Sequence, residues 1–149
     1  MRSLQNLFKN DSGSVIVEFA LLGPVLIGML FGVLQIGLGM QNYNAIRGAS
    51  ADAARVTVIA YQQPQTLTES NKLTNSQIEA SARSIAIAPP YGLIPTRLTV
   101  RVVTAPTQRV TGATELTLTT TYNIPTVLSV FGIRDIPLTY TRPIFVRSS

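Results

Sequence analysis

Residues 19–40 read FALLGPVLIGMLFGVLQIGLGM, a run of 22 residues without a formal charge. Gln35 is the only strongly polar side chain in this run. As an α-helix the run is roughly 33 Å long, which is enough to cross a hydrocarbon core of about 30 Å. A surface helix of a soluble protein keeps a polar face, and this run shows almost none. The stretch therefore predicts a transmembrane helix.

The residues before the run carry more positive than negative charge. The positive groups of residues 1–13 are Arg2, Lys9 and the terminal amine, and the negative group is Asp11. The positive-inside rule therefore places this end in the cytoplasm and residues 41–149 outside it. A cleaved secretory signal is the alternative. It fits less well because the apolar region of such a signal is typically about 7–15 residues long. The A-x-A pattern at residues 49–51 also ends 11 residues beyond the run.

The composition excludes most classes of enzyme. Charged residues are 13% of the 149, half the usual share of about 25%, and the mean hydropathy is +0.28. The absence of Cys and His removes thiolate zinc sites, cysteine nucleophiles and histidine-dependent triads. The acids Glu79, Glu115 and Asp135 are not paired in the sequence. We therefore expect no enzyme, no metal, no cofactor and no small-molecule substrate.

The basic residues do not indicate a nucleic-acid site, although the net charge is +5. A nucleic-acid site normally combines a basic stripe with stacking aromatic side chains. The arginines and lysines beyond the apolar run are instead spread singly along the chain. The sequence therefore predicts no nucleic-acid partner.

One carboxylate interrupts the start of the apolar region. Val15, Ile16 and Val17 precede Glu18, and Phe19 follows it. A charged side chain costs on the order of 2–3 kcal/mol at the centre of a bilayer and less near its surface. Glu18 either marks the membrane boundary and reaches to water, or it has a specific partner. The three apolar residues before it favour a partner.

The pattern around Glu18 supplies a candidate for that partner. A short leader with Arg2 and Lys9 ends in Gly13-Ser14-Val15-Ile16-Val17-Glu18-Phe19, which is Gly, four residues, then Glu and an aromatic. This pattern resembles the processing site of type IV pilins and pseudopilins. With the Ala, Gly and Pro that follow, the region of about residues 8–40 most resembles the TadE-like family of the Tad/Flp (tight adherence) pilus system.

The resemblance implies that a prepilin peptidase cuts between Gly13 and Ser14 on the cytoplasmic face. Ser14 then becomes the new N-terminus, and Glu18 the fifth mature residue. An amine one helical turn from a carboxylate makes an ion pair possible, within one chain or with a neighbouring subunit. Ser14 departs from the pattern of the classical type IV pilins, in which larger apolar residues are common at this position.

The glycines of the apolar run predict contacts between membrane helices. Gly28 and Gly32 form a G-x-x-x-G pair, and small residues let helices approach closely in lipid. Pro24 removes a backbone donor and is expected to loosen or kink the helix. An alternative is that glycine is simply tolerated in membrane helices.

Beyond the membrane the sequence predicts an α+β domain. Apolar residues at helical spacing continue the first helix to residue 61. The pattern Ser76-Gln77-Ile78-Glu79 predicts the capping box of a short second helix, which Pro89-Pro90 ends. Alternating residues predict a small antiparallel sheet of about three strands at 97–104, 115–122 and 138–146, with a hairpin loop at 106–112. Residues 124–133 are predicted to be a core-filling helical turn or a partner- or membrane-binding wedge.

These expectations give a domain plan and a function. Residues 1–13 are a leader, 14–61 a transmembrane and spine helix with its span at 19–40, and 62–149 an extracytoplasmic domain. The leading hypothesis is a pseudopilin of the Tad/Flp system in the inner membrane, with a prepilin peptidase, other pilins or pseudopilins, and the Tad inner-membrane platform as partners. A related TadF-like pseudopilin remains open. The alternative is an unprocessed, membrane-anchored binding or chaperone module.

Overall fold

The computed structural model describes residues 11–62, 73–127 and 132–147. These residues divide into two compact units, between Gly37 and Leu38. The elements in chain order are helix α1 (Asp11–Gln62), helix α2 (Asn75–Ile87), a 3₁₀ turn (Pro95–Arg97), and strands β1 (Leu98–Thr104), β2 (Ala113–Ile124) and β3 (Ile136–Arg147). This order confirms the predicted α+β class. Most of the predicted leader, and most of the loop after residue 62, lie outside the described residues.

Helix α1 confirms the long N-terminal helix that the apolar run predicts. It has 52 residues and continues through Pro24. Its stretch Gly13–Gln62 is long and apolar enough to cross a membrane, and none of the residues in its most apolar 18-residue window is buried. A helix that is apolar all round and unburied within its own chain fits a lipid environment.

The three strands form one antiparallel sheet in the order β1-β2-β3. The register pairs Leu98 with Tyr122 in the first ladder and Ile124 with Ile136 in the second. Each strand was predicted to within two residues at its ends. The β1–β2 loop ends at Gly112, where a φ of +78° is a conformation that glycine adopts at no steric cost.

Helix α2 forms as predicted, but its capping box was placed wrongly. The sequence predicted Ser76 and Glu79, whereas the N-cap is Thr74. The Thr74 hydroxyl accepts from the Gln77 backbone N–H at 3.3 Å, and the Gln77 side-chain oxygen accepts from the Thr74 N–H at 2.8 Å. Glu79 is not part of the cap, and its carboxylate instead accepts from the Val102 N–H of β1 at 2.8 Å.

The core lies between the helices and one face of the sheet. Both helices contribute small side chains, which allow a helix backbone to lie close to a sheet. One buried cluster joins α1 and α2 to all three strands, and comprises Ala53, Ala54, Ile78, Ala82, Val102, Leu116, Leu118, Ile144 and Val146. A second cluster comprises Ile46, Ala49, Ala86, Leu93, Leu98, Tyr122 and Ile124. Alternate residues of β2, namely Leu116, Leu118, Thr120, Tyr122 and Ile124, are buried on the face that packs against the helices.

A buried polar contact fixes α1 against β2. The hydroxyls of Ser50 and Thr120 lie 2.9 Å apart, and both residues are buried. Buried hydroxyls require a partner, because leaving one unpaired costs about 1–3 kcal/mol. This contact therefore favours one rotational setting of the helix over the sheet.

The segment predicted as a core-filling turn or a wedge is only partly described. Ile124 ends β2 and is buried, whereas Val127 and Ile133 are exposed. Residues 128–131 lie outside the described residues, so the choice between the two interpretations stays open.

Gly48 provides a test of how closely α1 packs against the α2–β1 connection. A Cβ added at Gly48 would lie 2.6 Å from the Tyr91 ring. The Tyr91 hydroxyl donates to Asp52 at 2.7 Å, and this hydrogen bond to a carboxylate raises the pKa of Tyr91 above its ordinary value. Gly48→Ala displaces the ring.

We expect Gly48→Ala to destabilise the protein by about 1 kcal/mol, because overpacking costs roughly 1–3 kcal/mol while the better helix residue returns about 0.5–1. Thermal unfolding of the full chain in detergent micelles measures this change. Gly39→Ala is the matched control, since its added methyl comes no closer than 4.0 Å to Ile124. Equal stability of the two variants would contradict the prediction.

Glu115 links acid sensitivity to the β1–β2 hairpin. Its buried carboxylate on β2 accepts hydrogen bonds from the Arg109 guanidinium, whose Nε lies 2.9 Å from each carboxylate oxygen. Arg109 also lies over the Phe145 ring, 5.5 Å from its centroid. The hydrogen bonds from Arg109 lower the pKa of Glu115, although burial opposes them. Because the pKa of Glu115 is lower in the folded chain than in the unfolded chain, its ionised carboxylate stabilises the fold at neutral pH.

We expect the free energy of unfolding to fall with pH below the unfolded pKa of Glu115, about 4.3, and to go on falling through its folded pKa. Glu115→Gln removes this component of the pH dependence and lowers stability at neutral pH. Unfolding of both proteins between about pH 3 and pH 7 measures it. Parallel pH curves for the parent and Glu115→Gln would contradict the assignment.

Candidate functional site

The predicted cleavage site lies in the first turn of a helix. Helix α1 begins at Asp11, so Gly13 and Ser14 are helical, and both are exposed. The first N–H groups of a helix have no intrahelical partner, and helix ends fray. Cleavage at this position stays a prediction.

Gly13 is not required by the fold. A Cβ added there meets nothing within 4 Å, and the positive-φ glycines of the described chain are Gly92, Gly112 and Gly132. Glycine is also less favourable than alanine in a helix by about 0.5–1 kcal/mol. The contacts of the described residues therefore do not explain a glycine at this position.

Glu18 lies one turn beyond Ser14 on the same side of α1. Residues four apart on a helix are neighbours, so an amine at Ser14 would lie within reach of the carboxylate. Residues 11–37, the described part of this unit, contain no lysine or arginine. Among the described residues of this unit, the Glu18 carboxylate therefore has no basic side chain as a partner. Phe19 beside it is 75% exposed, which places a large aromatic ring on the outside of the helix.

Gly28 and Gly32 leave an open strip on one side of the helix. They lie four residues apart, and a Cβ at either position meets nothing within 4 Å. Such a strip allows another helix backbone to come close. No second helix contacts it within the described part of its unit, so contact between helices stays a prediction for the assembled state.

The three candidate acids each take part in a separate structural contact. Glu79 caps the Val102 N–H, Glu115 pairs with Arg109, and Asp135 pairs with Arg97 at 2.5 Å. Among the residues that the structure describes, no cluster of three or more acidic, histidine or cysteine residues has the arrangement of a metal site.

One feature was not predicted from the sequence, namely a groove between α1 and β3. Arg55 and Arg142 both line it, although they are 87 positions apart in the sequence. No local motif in the sequence marks Arg55 or Arg142. Hydrophobic periodicity orients each element separately, but it does not show which two elements lie side by side.

Comparison with known families gives one match. A family model described as TadE-like protein matches residues 13–55. The match confirms the resemblance over the segment that contains Gly13, Glu18 and the Gly28–Gly32 pair, which is less than a third of the chain. No curated protein and no solved structure matches the chain.

Proposed function

Taking residues 13–55 as a TadE-like segment, we propose that the protein is a pilin-like assembly component, a pseudopilin, of a Tad/Flp pilus system. It is anchored by residues 19–40 in the inner membrane, with its N-terminus in the cytoplasm and its α+β domain outside. A prepilin peptidase removes residues 1–13. The protein then acts with other pilins or pseudopilins and with the Tad inner-membrane platform, and it catalyses no reaction.

The single observation that supports this proposal most strongly is the position of Glu18. The carboxylate lies on an unburied apolar helix, in a unit whose described residues offer no basic side chain. Leaving such a charge in lipid is costly unless a partner arrives. Cleavage after Gly13 creates an amine at Ser14, four residues before Glu18. A cut at this position accounts for the spacing of Gly13, Ser14 and Glu18.

The exposed helix surface supports the proposed assembly. The large apolar side chains from Val15 to Met40 are mostly more than half exposed, so the chain itself does not cover them. Lipid covers such a surface before assembly, and other helices replace lipid where small residues permit close contact. Gly28 and Gly32 are the residues that we assign to that contact.

The membrane orientation is tested with reporters fused after Ser149. We expect a reporter that is active only in the periplasm to be active, because Arg2 and Lys9 hold the N-terminus in the cytoplasm. A reporter that is active only in the cytoplasm should stay inactive. Replacing both basic residues by glutamine is the matched variant, and it should lower the fraction of correctly inserted chains. Activity of the cytoplasmic reporter in the parent protein would contradict the orientation.

A further inference from the structure

The groove between α1 and β3 is open and partly apolar. It has a volume of about 390 Å³ and lies within the unit that begins at Leu38. Val58 and Ile59 of α1 line it together with Phe145 of β3, and Arg55 and Arg142 line it as well. Ile59 is 56% exposed and Phe145 is 39% exposed. The groove thus offers apolar surface beside two positive charges.

The two arginines have no acidic partner in the chain that the structure describes. Neither Arg55 nor Arg142 lies within 4.0 Å of a carboxylate there, whereas Arg97 and Arg109 do form ion pairs. Arginine side chains at interfaces bind carboxylates with two parallel hydrogen bonds. An apolar groove with two unpaired guanidinium groups therefore complements a carboxylate next to an apolar side chain.

A second copy of this unit does not supply that carboxylate from its described residues. All four carboxylates described from Leu38 onward already accept hydrogen bonds within the unit. They are Asp52, which binds Tyr91, Glu79, which binds the Val102 N–H, Glu115, which binds Arg109, and Asp135, which binds Arg97. Glu69, the other carboxylate side chain after Leu38, lies outside the described residues. Because the four described carboxylates already have partners in their own unit, we look to a different protein for the acidic group.

The edge of β3 does not favour binding by strand addition. β3 is an edge strand, and it contains two prolines. Pro137 lies opposite Asn123, and Pro143 lies opposite Thr117. Proline cannot donate a hydrogen bond to a neighbouring strand, and prolines on edge strands protect against edge pairing. A partner thus contacts this side through side chains.

We propose that this groove, between residues 54–59 and 142–145, binds an acidic segment of a different protein. A carboxylate of the partner lies between Arg55 and Arg142, and a neighbouring apolar side chain packs on Val58, Ile59 and Phe145. This inference concerns the unit beginning at Leu38 and does not depend on cleavage after Gly13, so either can fail without the other.

The test measures binding of a fluorescent peptide of alternating leucine and glutamate to the full chain in uncharged detergent micelles, by fluorescence anisotropy. A leucine–glutamine peptide of the same length is the matched probe. We expect the glutamate peptide to bind about tenfold more tightly than the glutamine peptide. The double variant Arg55→Gln, Arg142→Gln should lose that tenfold difference.

A second double variant separates the groove from general charge. Arg101→Gln with Arg147→Gln removes two other arginines that have no ion pair in the described chain, and it should leave binding within about twofold of the parent. Equal binding of the two peptides, or equal loss in both double variants, would overturn the proposal. Self-association of the parent that only the groove variant abolishes would assign the groove to a second copy and would overturn it as well.

Discussion

Glu18→Val is expected to reduce surface pili by about tenfold or more in a strain with a complete Tad system, while the amount of protein in the membrane stays the same or rises. Insertion improves because the substitution removes a charge from an apolar helix. Assembly fails because docking would bury the amine of Ser14 without its carboxylate, and an unpaired buried charge is strongly unfavourable. Pili are counted by electron microscopy, with membrane levels measured by immunoblot.

Glu18→Asp is the matched control for this result. It keeps the charge but shortens the side chain by one methylene, so the ion pair is strained and a partial loss of pili is expected. Both variants should still be cleaved if the peptidase recognises mainly Gly13 and the leader. Normal numbers of pili with Glu18→Val at equal membrane level would reduce Glu18 to a marker of the membrane boundary.

Gly13→Leu is expected to block removal of the leader, by about a hundredfold in rate, without disturbing the fold. The fold tolerates the change because a Cβ at this position meets nothing within 4 Å. The peptidase does not, because a bulky side chain keeps the backbone from the catalytic groups, and a displacement of about 1 Å can cost a factor of 10². Leucine also favours the helix over the extended backbone that cleavage needs.

The rate is measured as the ratio of precursor to mature protein after a pulse of labelled methionine, in cells that contain the cognate peptidase. Gly13→Ala is the graded control and should be cut at an intermediate rate, since it adds only a methyl group. Efficient processing of Gly13→Leu would show that this glycine is not the recognised residue.

Much of the fold follows from local patterns. The uncharged run at residues 19–40 predicts α1 because no soluble helix needs so continuous an apolar surface. Alternation predicts the three strands because one face of the sheet is buried and the other is not. The end of α2 was found because Pro89 and Pro90 cannot continue a helix.

Other features did not follow, because they depend on distant parts of the chain. The capping box was predicted at Ser76 and Glu79, whereas Thr74 and Gln77 form it and Glu79 binds the Val102 N–H on β1. The Ser50–Thr120 contact joins residues 70 apart, and the groove joins Arg55 to Arg142. Periodicity orients each element but does not give the angle at which helix and sheet meet.

The candidate site was predictable because its residues are close in sequence. Gly13, Ser14 and Glu18 lie within one and a half turns of a single helix, so their spacing alone fixes which side of the helix they share. The structure adds that a Cβ at Gly13, Gly28 or Gly32 would meet nothing within 4 Å.

The intact mass of the protein purified from its native host tests the central claim most directly. The account predicts a chain that begins at Ser14 and has lost 13 residues, with the whole of Ser14–Ser149 retained. A chain that still begins at Met1 would contradict processing and favour an unprocessed membrane anchor. A chain that begins at Asp52 would also contradict cleavage after Gly13. Its start would show that the apolar helix had been removed as a secretory signal.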